Sequence, residues 1–308
     1  GAVDPRHLNK HINYSLLPAP AGTKDHSLAT PVEMAVTSDG ATLYVAAFGS
    51  GKVGVFSTAA IEADTFDPTV ESANYVSVTG GGPGGLVLNE GANRLYVFTR
   101  FDNGVSVVDT TAGTELYHLN FPNPEPDSLV DGRFMLYDAF ATSSNGEASC
   151  SSCHIFGDFD SLAWDLGDPD GEIGDNPNTI NLNAAAGDQN GGAANDEFHP
   201  MKGPMTTQTL RGLATSGHMH WRGDRASGFF GTDGPNNNDE DLSFRNFIVA
   251  FPGLVGGDTP PTDAQLQADM QAFSDFQLQV LLPPNPVRAL DNSLDSDQDD
   301  GRLFFLGD

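Results

Sequence analysis

Two stretches within the first 120 residues repeat one pattern, and this repeat constrains the fold more than any other feature of the chain. Leu43-Tyr44-Val45 recurs 52 residues later as Leu95-Tyr96-Val97, and a valine-rich run follows each copy. Apolar and polar residues alternate in both copies, which predicts short antiparallel strands. A repeat of about 40–50 residues with several strands per unit is typical of β-propeller blades. We therefore predict one blade around residues 34–58 and a second around 86–110.

These segments resemble the YVTN-type β-propeller family, whose units contain a turn, a Leu-Tyr-Val strand and a valine-rich strand. Two blades cannot close a ring, because a propeller needs at least about four. The resemblance therefore implies either that further blades precede Gly1 or that another chain completes the ring.

A glycine-rich run, Gly80-Gly81-Gly82-Pro83-Gly84-Gly85, lies between the two units. It lacks the lysine and the strand–loop–helix context that a phosphate-binding loop requires. We therefore predict that it connects two blades.

A change of pattern divides the chain after the second unit. Three prolines between Phe121 and Asp127 predict a stiff linker. Beyond it, helical periodicity predicts helices at 131–141, 239–251 and 262–282, the last capped by Thr262 with Gln265. Residues 158–200 are rich in Gly, Asn and Asp and predict a long loop. The predicted fold class is multi-domain: an all-β propeller-type part (1–122), a proline-rich linker (123–128), a mainly α-helical domain with long loops (129–284) and a final segment (285–308).

The composition is strongly acidic, with 42 acidic against 14 basic side chains and a formal net charge of −28. Nucleic acids and anionic membrane surfaces require basic patches, so both are disfavoured as partners. No apolar run approaches the ~18–20 residues that a membrane span needs. The chain begins at Gly1 without an initiator Met or a signal peptide, which predicts a processed or excised product. The acidic excess suits a solvated surface and also a secreted or salt-adapted protein.

Both cysteines lie in Cys150-Ser151-Ser152-Cys153-His154, and the Cys-x-x-Cys-His spacing is that of a c-type haem attachment site. Two cysteines one helical turn apart can each form a thioether with a porphyrin vinyl group. The adjacent His154 then directs its imidazole to the iron from the same side. The spacing therefore predicts one covalent haem c with His154 as the proximal ligand.

Three other interpretations of the cysteine pair are weaker. A zinc site needs about four ligands, and the chain has no further cysteine. A thioredoxin-like redox pair needs a βαβ context, which the preceding residues 143–147 do not supply. A disulfide between Cys150 and Cys153 would close a small, strained loop.

Several segments around the cysteine pair form a set: Gly132-Arg133, Lys202-Gly203-Pro204, Thr209-Leu210-Arg211-Gly212 and His220-Trp221-Arg222-Gly223-Asp224-Arg225. This set resembles the di-haem cytochrome c peroxidase and MauG-like family, over residues 129–308. The last segment departs from the family's Trp-Asp-Gly-Arg pattern. The resemblance implies a c-type cytochrome domain in which Trp221 lies near the haem, on an electron path between two haems.

A second repeat lies in this half of the chain. Gly132-Arg133 recurs 169 residues later as Gly301-Arg302, within parallel segments 131–138 and 300–308. In the first copy, Cys150 follows Arg133 by 17 residues. We therefore interpret 285–308 as a linker and the start of a second haem lobe of a longer protein. A C-terminal amphipathic helix without that role is the alternative.

The sixth haem ligand decides between electron transfer and peroxide binding. The candidates after the motif are His199, Met201, Met205, His218, Met219 and His220. The resemblance favours His199, because the family's distal histidine precedes a Lys-Gly-Pro segment. His220, Met201 or Met205, and an open site stay as alternatives. Glu197 is a weak candidate for general acid–base transfer during peroxide cleavage.

Two acidic clusters suggest Ca²⁺ as a second cofactor, because hard cations prefer carboxylate oxygens. Asp168 and Asp170 lie in a Gly-rich stretch, and four more aspartates lie between 295 and 300. Neither cluster follows the EF-hand pattern, so Ca²⁺ binding and solvated charge both stay open.

Haem c is attached outside the cytoplasm, so the motif predicts a periplasmic or extracellular redox protein. Three functions stay open: a peroxidase-like or MauG-like oxidoreductase, a pure electron carrier, and a propeller-based partner-binding module with an accessory haem. The implied partner is a redox protein or a second haem domain, in an oligomer or a larger assembly.

Overall fold

A computed structural model describes residues 3–165, 204–217, 219 and 239–307 of the chain. Two four-stranded antiparallel sheets come first and helices follow them. This order confirms an all-β part ahead of a helical part. Within the described residues, the two sheets do not close a ring, and no helix has both the length and the apolar character needed to cross a membrane.

The first sheet has the order β1-β2-β3-β4, with every neighbouring pair antiparallel. Its strands are β1 (Pro31–Val36), β2 (Thr42–Ala47), β3 (Lys52–Ser57) and β4 (Val76–Ser77). Two short helices, α1 (Thr58–Glu62) and α2 (Pro68–Glu71), connect β3 to β4.

The second sheet repeats the first in structure as well as in sequence. Its strands are β5 (Pro83–Asn89), β6 (Arg94–Thr99), β7 (Gly104–Asp109) and β8 (Thr114–Asn120). Tyr44 pairs with Val55 in the first sheet, and Tyr96 pairs with Val107 in the second. Both pairs keep the offset of 52, so the sequence repeat defines equivalent strand registers.

The two sheets pack against each other through an apolar layer. Its buried members are Tyr44, Val53, Val76, Val78, Leu95, Val97 and Val108. Leu95 and Val97 alternate with exposed residues along β6, as expected for a strand with one buried face.

The first half of the glycine-rich run, Gly80–Gly82, lies between β4 and β5, and Pro83-Gly84-Gly85 begins β5. Gly80, Gly81 and Gly82 all have positive φ, at 86°, 66° and 55°. A Cβ on Gly81 or Gly82 would also lie only 2.7 or 2.6 Å from the ring of Phe101. Glycine is required here because the backbone is left-handed and close to an aromatic ring.

The later part of the chain is mainly helical. Its elements are α3 (Asp127–Tyr137), α4 (Ala139–Thr142), α5 (Glu240–Arg245), α6 (Ala250–Val255), α7 (Ala264–Gln277) and α8 (Ser296–Leu306), with strands β9 (Ala163–Asp165) and β10 (Pro204–Thr206). Short 3-10 helices lie at Thr23–His26, Phe48–Ser50, Ser72–Asn74, Glu90–Ala92, Cys150–Ser152, Ile155–Gly157, Leu213–Thr215 and Asn246–Val249. The predicted helix 239–251 is thus divided between α5, a 3-10 turn and α6.

Two further helix predictions need correction at their ends. The predicted helix 131–141 is interrupted at Asp138, whose carboxylate instead caps α4 by accepting from the Ala141 amide at 2.9 Å. Asp263, not Thr262, caps α7, because its carboxylate accepts from the amides of residues 265 and 266. The helix ends at Gln277, so Leu281 lies beyond it and is exposed rather than part of its apolar face.

Helices α3 and α7 form the centre of the helical core. Met135, Leu136, Met270 and Phe273 are buried between them and their neighbours. The helices approach closely at Gly132, where a Cβ would overlap the carbonyl oxygen of Ala272. A glycine at this position lets the two backbones come into contact.

The second sheet is joined to α3 by a charged junction centred on a buried arginine. Arg133 is 5% exposed and donates to the Arg100 and Phe101 carbonyls at 2.9 and 3.2 Å. It also pairs with Glu125 at 2.6 Å, and Arg100 pairs with the same carboxylate at 3.1 Å. The two guanidinium groups hold the pKa of Glu125 down to about 2, the hydrogen bond from Arg100 being the largest cause.

An aromatic cluster continues this junction toward the cysteine pair. Phe48 and Phe101, from the two sheets, both contact Tyr137 at the end of α3, with ring centroids 5.2 and 6.1 Å away. Tyr137 in turn lies 6.4 Å from Phe156. Tyr137 of α3 therefore lies between the all-β part and the segment that follows the Cys-x-x-Cys-His motif.

Candidate haem-attachment site

The Cys-x-x-Cys-His motif folds as one tight turn. The His154 amide donates to the Cys150 carbonyl at 2.9 Å, and the Cys153 amide donates to the same oxygen at 3.3 Å. Ser152 Oγ accepts from the Ser149 amide at 3.1 Å and so closes the beginning of the turn. The turn keeps the two sulfurs and the imidazole within one short segment, as two thioethers and an axial bond to one porphyrin require.

Both cysteines are free thiols in half-buried positions. Cys150 packs against the helical core, and burial raises the pKa of its thiol to about 12. Burial, together with the charge of Asp160, also raises the pKa of Cys153. The two sulfurs are not joined by a disulfide bond in this structure.

His154 makes a hydrogen bond through Nδ1. Its Nδ1 lies 2.8 Å from the carbonyl oxygen of Gln208. A carbonyl oxygen can only accept, so Nδ1 donates the hydrogen bond. Histidines that bind metals characteristically donate their other ring N–H to a carbonyl or carboxylate in this way. The arrangement fits an imidazole that binds iron through Nε2.

The segment after Gln208 is held on both sides. The Leu210 amide donates to the Gly157 carbonyl at 2.9 Å, and the Arg211 guanidinium donates to the Phe156 carbonyl at 3.0 Å. From α7, the Gln277 amide donates to the Leu210 carbonyl at 2.7 Å. The structure therefore brings the motif and the Thr209–Gly212 segment together, although 54 residues separate His154 from Gln208.

Four apolar side chains within eight residues after the motif are exposed, namely Ile155, Phe156, Phe159 and Leu162. Leu282, also exposed, lies beside Gly212 of the neighbouring segment. Exposed apolar side chains that cluster on a protein surface often mark a binding site. A porphyrin is large, flat and apolar, and one bonded to the adjacent cysteines would offer such side chains an apolar partner. The residues present thus fit a covalent haem.

Many of the predicted site residues lie outside the described residues. These are His199, Met201, His218 and His220 among the axial candidates, Trp221 and Glu197 among the catalytic candidates, and Asp168 and Asp170 as calcium ligands. Met205 lies on β10, paired with Trp164 of β9.

Met219 is the axial candidate whose surroundings the structure gives. It is 7% exposed and belongs to the same apolar core against which Cys150 packs. A thioether sulfur is an established haem ligand. Sequence patterns did not favour this residue over its neighbours, because burial beside Cys150 depends on how distant helices pack.

Within the described residues, no three His, Cys, Asp or Glu side chains gather into a group that could hold a metal ion. Of the second acidic cluster, Asp295 instead caps α8 by accepting from the Gln298 amide at 2.8 Å. Asp299 pairs with Arg302 at 2.8 Å. Both carboxylates have local structural roles.

A Ser-His-Asp set in the second sheet is structural. His118 lies 2.9 Å from Ser106 Oγ and 2.6 Å from Asp102 Oδ2. These distances resemble those of a hydrolytic triad, but Ser106 is 0% exposed, so no substrate can reach it. The set cross-links β7, β8 and the loop between β6 and β7.

No protein-family model and no curated protein matches the sequence. Among solved structures, the chain is similar to Hydrazine Synthase of Kuenenia stuttgartiensis, with 24% identity and a TM-score of 0.24. That alignment covers 30% of this chain and 24% of the other, so it spans about a quarter of that protein chain. A TM-score this low carries no argument about fold or function.

Proposed function

We propose that this chain is a c-type haem protein of the periplasm or the extracellular space that transfers electrons. The haem is bound through Cys150 and Cys153, with His154 as the proximal ligand. We further propose that the two sheets are propeller-type blades and that the helical part is a cytochrome c-type domain.

The hydrogen bond from His154 Nδ1 to the Gln208 carbonyl carries the proposal. This contact fixes the ring orientation and increases the electron density on Nε2, which strengthens its bond to a metal ion. The contact joins two segments far apart in sequence and so holds the ring in place beside the two cysteines. The alternative of a zinc site lacks further ligands among the described residues.

Haem iron, when bound, accepts one electron and releases it again. The protein contributes the attachment, the axial imidazole and its environment. His154 holds its proton at Nδ1 through the Gln208 carbonyl. The ion pair between Arg211 and Asp158 (3.2 Å) keeps the Thr209–Gly212 segment beside the turn. A more basic proximal imidazole stabilises ferric iron and so lowers the reduction potential.

Attachment is tested by producing the chain in a bacterium with a c-type haem maturation system. We expect a Soret band and a mass increase of one haem that survives denaturation. C150S/C153S should lose the covalent haem, whereas Ser152→Ala in the same turn should retain it. A colourless wild-type protein, or covalent haem retained by the double variant, would overturn the proposal.

The proximal role of His154 needs a separate measurement. His154→Ala should change the absorption and electron paramagnetic resonance spectra of the bound haem, while the remote and exposed His7→Ala should leave them as in the wild type. Identical spectra for both variants would exclude His154 as a ligand.

A peroxidase-like role goes beyond electron transfer and depends on the sixth ligand. Reduction of H₂O₂ to two water molecules consumes two electrons and two protons. One haem supplies one electron, so a redox partner or a second haem domain must supply the other. Adding peroxide to the ferric and half-reduced protein, and repeating this with His199→Ala and Met219→Ala, identifies the ligand. If the spectra never respond to peroxide, the peroxidase-like role is refuted and the electron-carrier function is the one supported.

A further inference from the structure

Within the part of the chain that the structure describes, the second sheet has one face with many exposed apolar side chains. Val87, Tyr96, Phe98, Tyr117 and Leu119 are all exposed on it, the last two at 67% and 61%. The pairing register places these residues in two rows that cross the strands. One row runs Val87, Tyr96, Val107, Tyr117, and the other runs Gly85, Phe98, Val105, Leu119. The face is therefore continuous and apolar over four strands.

The repeat shows what kind of surface covers such a face. Tyr96, Val105 and Val107 are the equivalents, at the offset of 52, of Tyr44, Val53 and Val55. Those three residues of the first sheet pack against the second sheet. The exposed face of the second sheet is thus equivalent to a face that this same chain covers with another sheet.

The face of the second sheet that packs on the first sheet also has an equivalent, which is the outer face of the first sheet. The second sheet covers the first with Leu95 and Val97, which correspond to Leu43 and Val45 on the outer face of the first sheet. Leu28 and Phe66 cover the part of that outer face near β3.

The part of that outer face near β1 is open. Val32, Met34 and Val36 are 42%, 67% and 53% exposed there. Met34 pairs with Val45, and Val36 pairs with Leu43, so Met34 and Val36 of β1 lie on the same outer face as Val45 and Leu43 of β2. A groove of about 370 Å³ lies on this face, and its lining includes Val32, Met34, Leu43, Val45, Phe56 and Ile61.

We infer that the exposed face of the second sheet binds the open outer face of the first sheet of a second copy of this chain. The two surfaces belong to one chain and are equivalent to the two that already pack within it. The contact is heterologous, because one face meets a different face, and repetition of it produces a ring or an open chain of molecules.

The net charge predicts how this association depends on salt. Each copy carries a formal charge of −28, so copies repel each other at low ionic strength. Salt shortens the range of this repulsion to about 10 Å at 0.1 M and about 3 Å at 1 M. Association should therefore strengthen as salt is added.

Sedimentation velocity on the full chain, over a range of micromolar concentrations and at high salt, tests the inference. Y117K/L119K alters the second sheet and M34K/V36K alters the first, while F304K/F305K on α8 is the control with the same change in charge. The wild type and the control should associate, and each sheet variant alone should be monomeric. A mixture of the two sheet variants should form a dimer and nothing larger, because one intact contact remains.

Three outcomes would overturn the inference. A monomeric wild type over the whole range shows that a second copy does not bind there. Loss of association in Y117K/L119K but not in M34K/V36K indicates a symmetric contact between two second sheets. A mixture that stays monomeric shows that the two faces do not fit each other. Circular dichroism of each variant confirms that the fold is kept.

Discussion

Replacing Glu125 with glutamine tests the junction between the second sheet and the helical part. The folded protein lowers the pKa of this carboxyl from 4.5 to about 2, first through the hydrogen bond from Arg100 and then through Arg133. Each tenfold change in proton affinity is worth about 1.4 kcal/mol, which sets an upper limit of about 3.4 kcal/mol. The side chain is 25% exposed, so solvent screening reduces this. We expect Glu125→Gln to lower the free energy of unfolding by about 2 kcal/mol at pH 7.

The sign of the pH dependence makes this prediction specific. Because the folded pKa is depressed, the ionised carboxylate stabilises the fold above pH 4.5, and this contribution disappears as the pH falls toward about 2. The stability difference between wild type and variant should therefore shrink over that range in urea unfolding followed by circular dichroism. Asp299→Asn, which removes an exposed pair with Arg302, is the matched control and should cost less than about 0.5 kcal/mol. A Glu125→Gln variant as stable as the wild type at pH 7, or a difference that persists unchanged in acid, would refute the reasoning.

Two further substitutions test contacts between elements. Gly132→Ala places a methyl group against the Ala272 carbonyl oxygen and should lower the free energy of unfolding by about 1–3 kcal/mol in thermal unfolding. Gly301→Ala, at the equivalent position of the repeat, has open space around it, so this control should leave stability unchanged or raise it by up to about 1 kcal/mol. Equal effects of the two alanines would mean that α3 and α7 do not cross at Gly132. His118→Ala removes the two side-chain hydrogen bonds that tie β8 to Ser106 of β7 and to Asp102. Thr99 and Asn120 still donate to the Asp102 carboxylate, so the variant should cost only about 1–2 kcal/mol in urea unfolding; an unchanged midpoint would show that the set has no structural role.

The local elements were largely predictable from sequence. Strand existence followed from the alternation of apolar residues, and the equivalent registers of Tyr44 and Tyr96 followed from the repeat of 52 residues. Helix ends were less predictable. Asp263 displaced Thr262 as the cap of α7, since both residues can accept from the first-turn amides and only the path of the chain selects between them.

The candidate site was likewise predictable from sequence only in part. The two cysteines and His154 were evident from their spacing alone. The Gln208 carbonyl that orients His154 was not, because every residue has a carbonyl group and no side-chain type identifies this one. The burial of Met219 in the same core as Cys150 was equally hidden, since helices on either side of the motif create that core.

By itself, the sequence determined the strand and helix types, the repeat and the turn that carries two thiols and an imidazole, because these depend on residues close together along the chain. Only the tertiary structure decided which proton His154 keeps, how Arg133 joins the two parts of the molecule, and which sheet faces stay uncovered. These features depend on contacts between segments tens of residues apart, and local patterns of residues hold no information about which distant groups will meet.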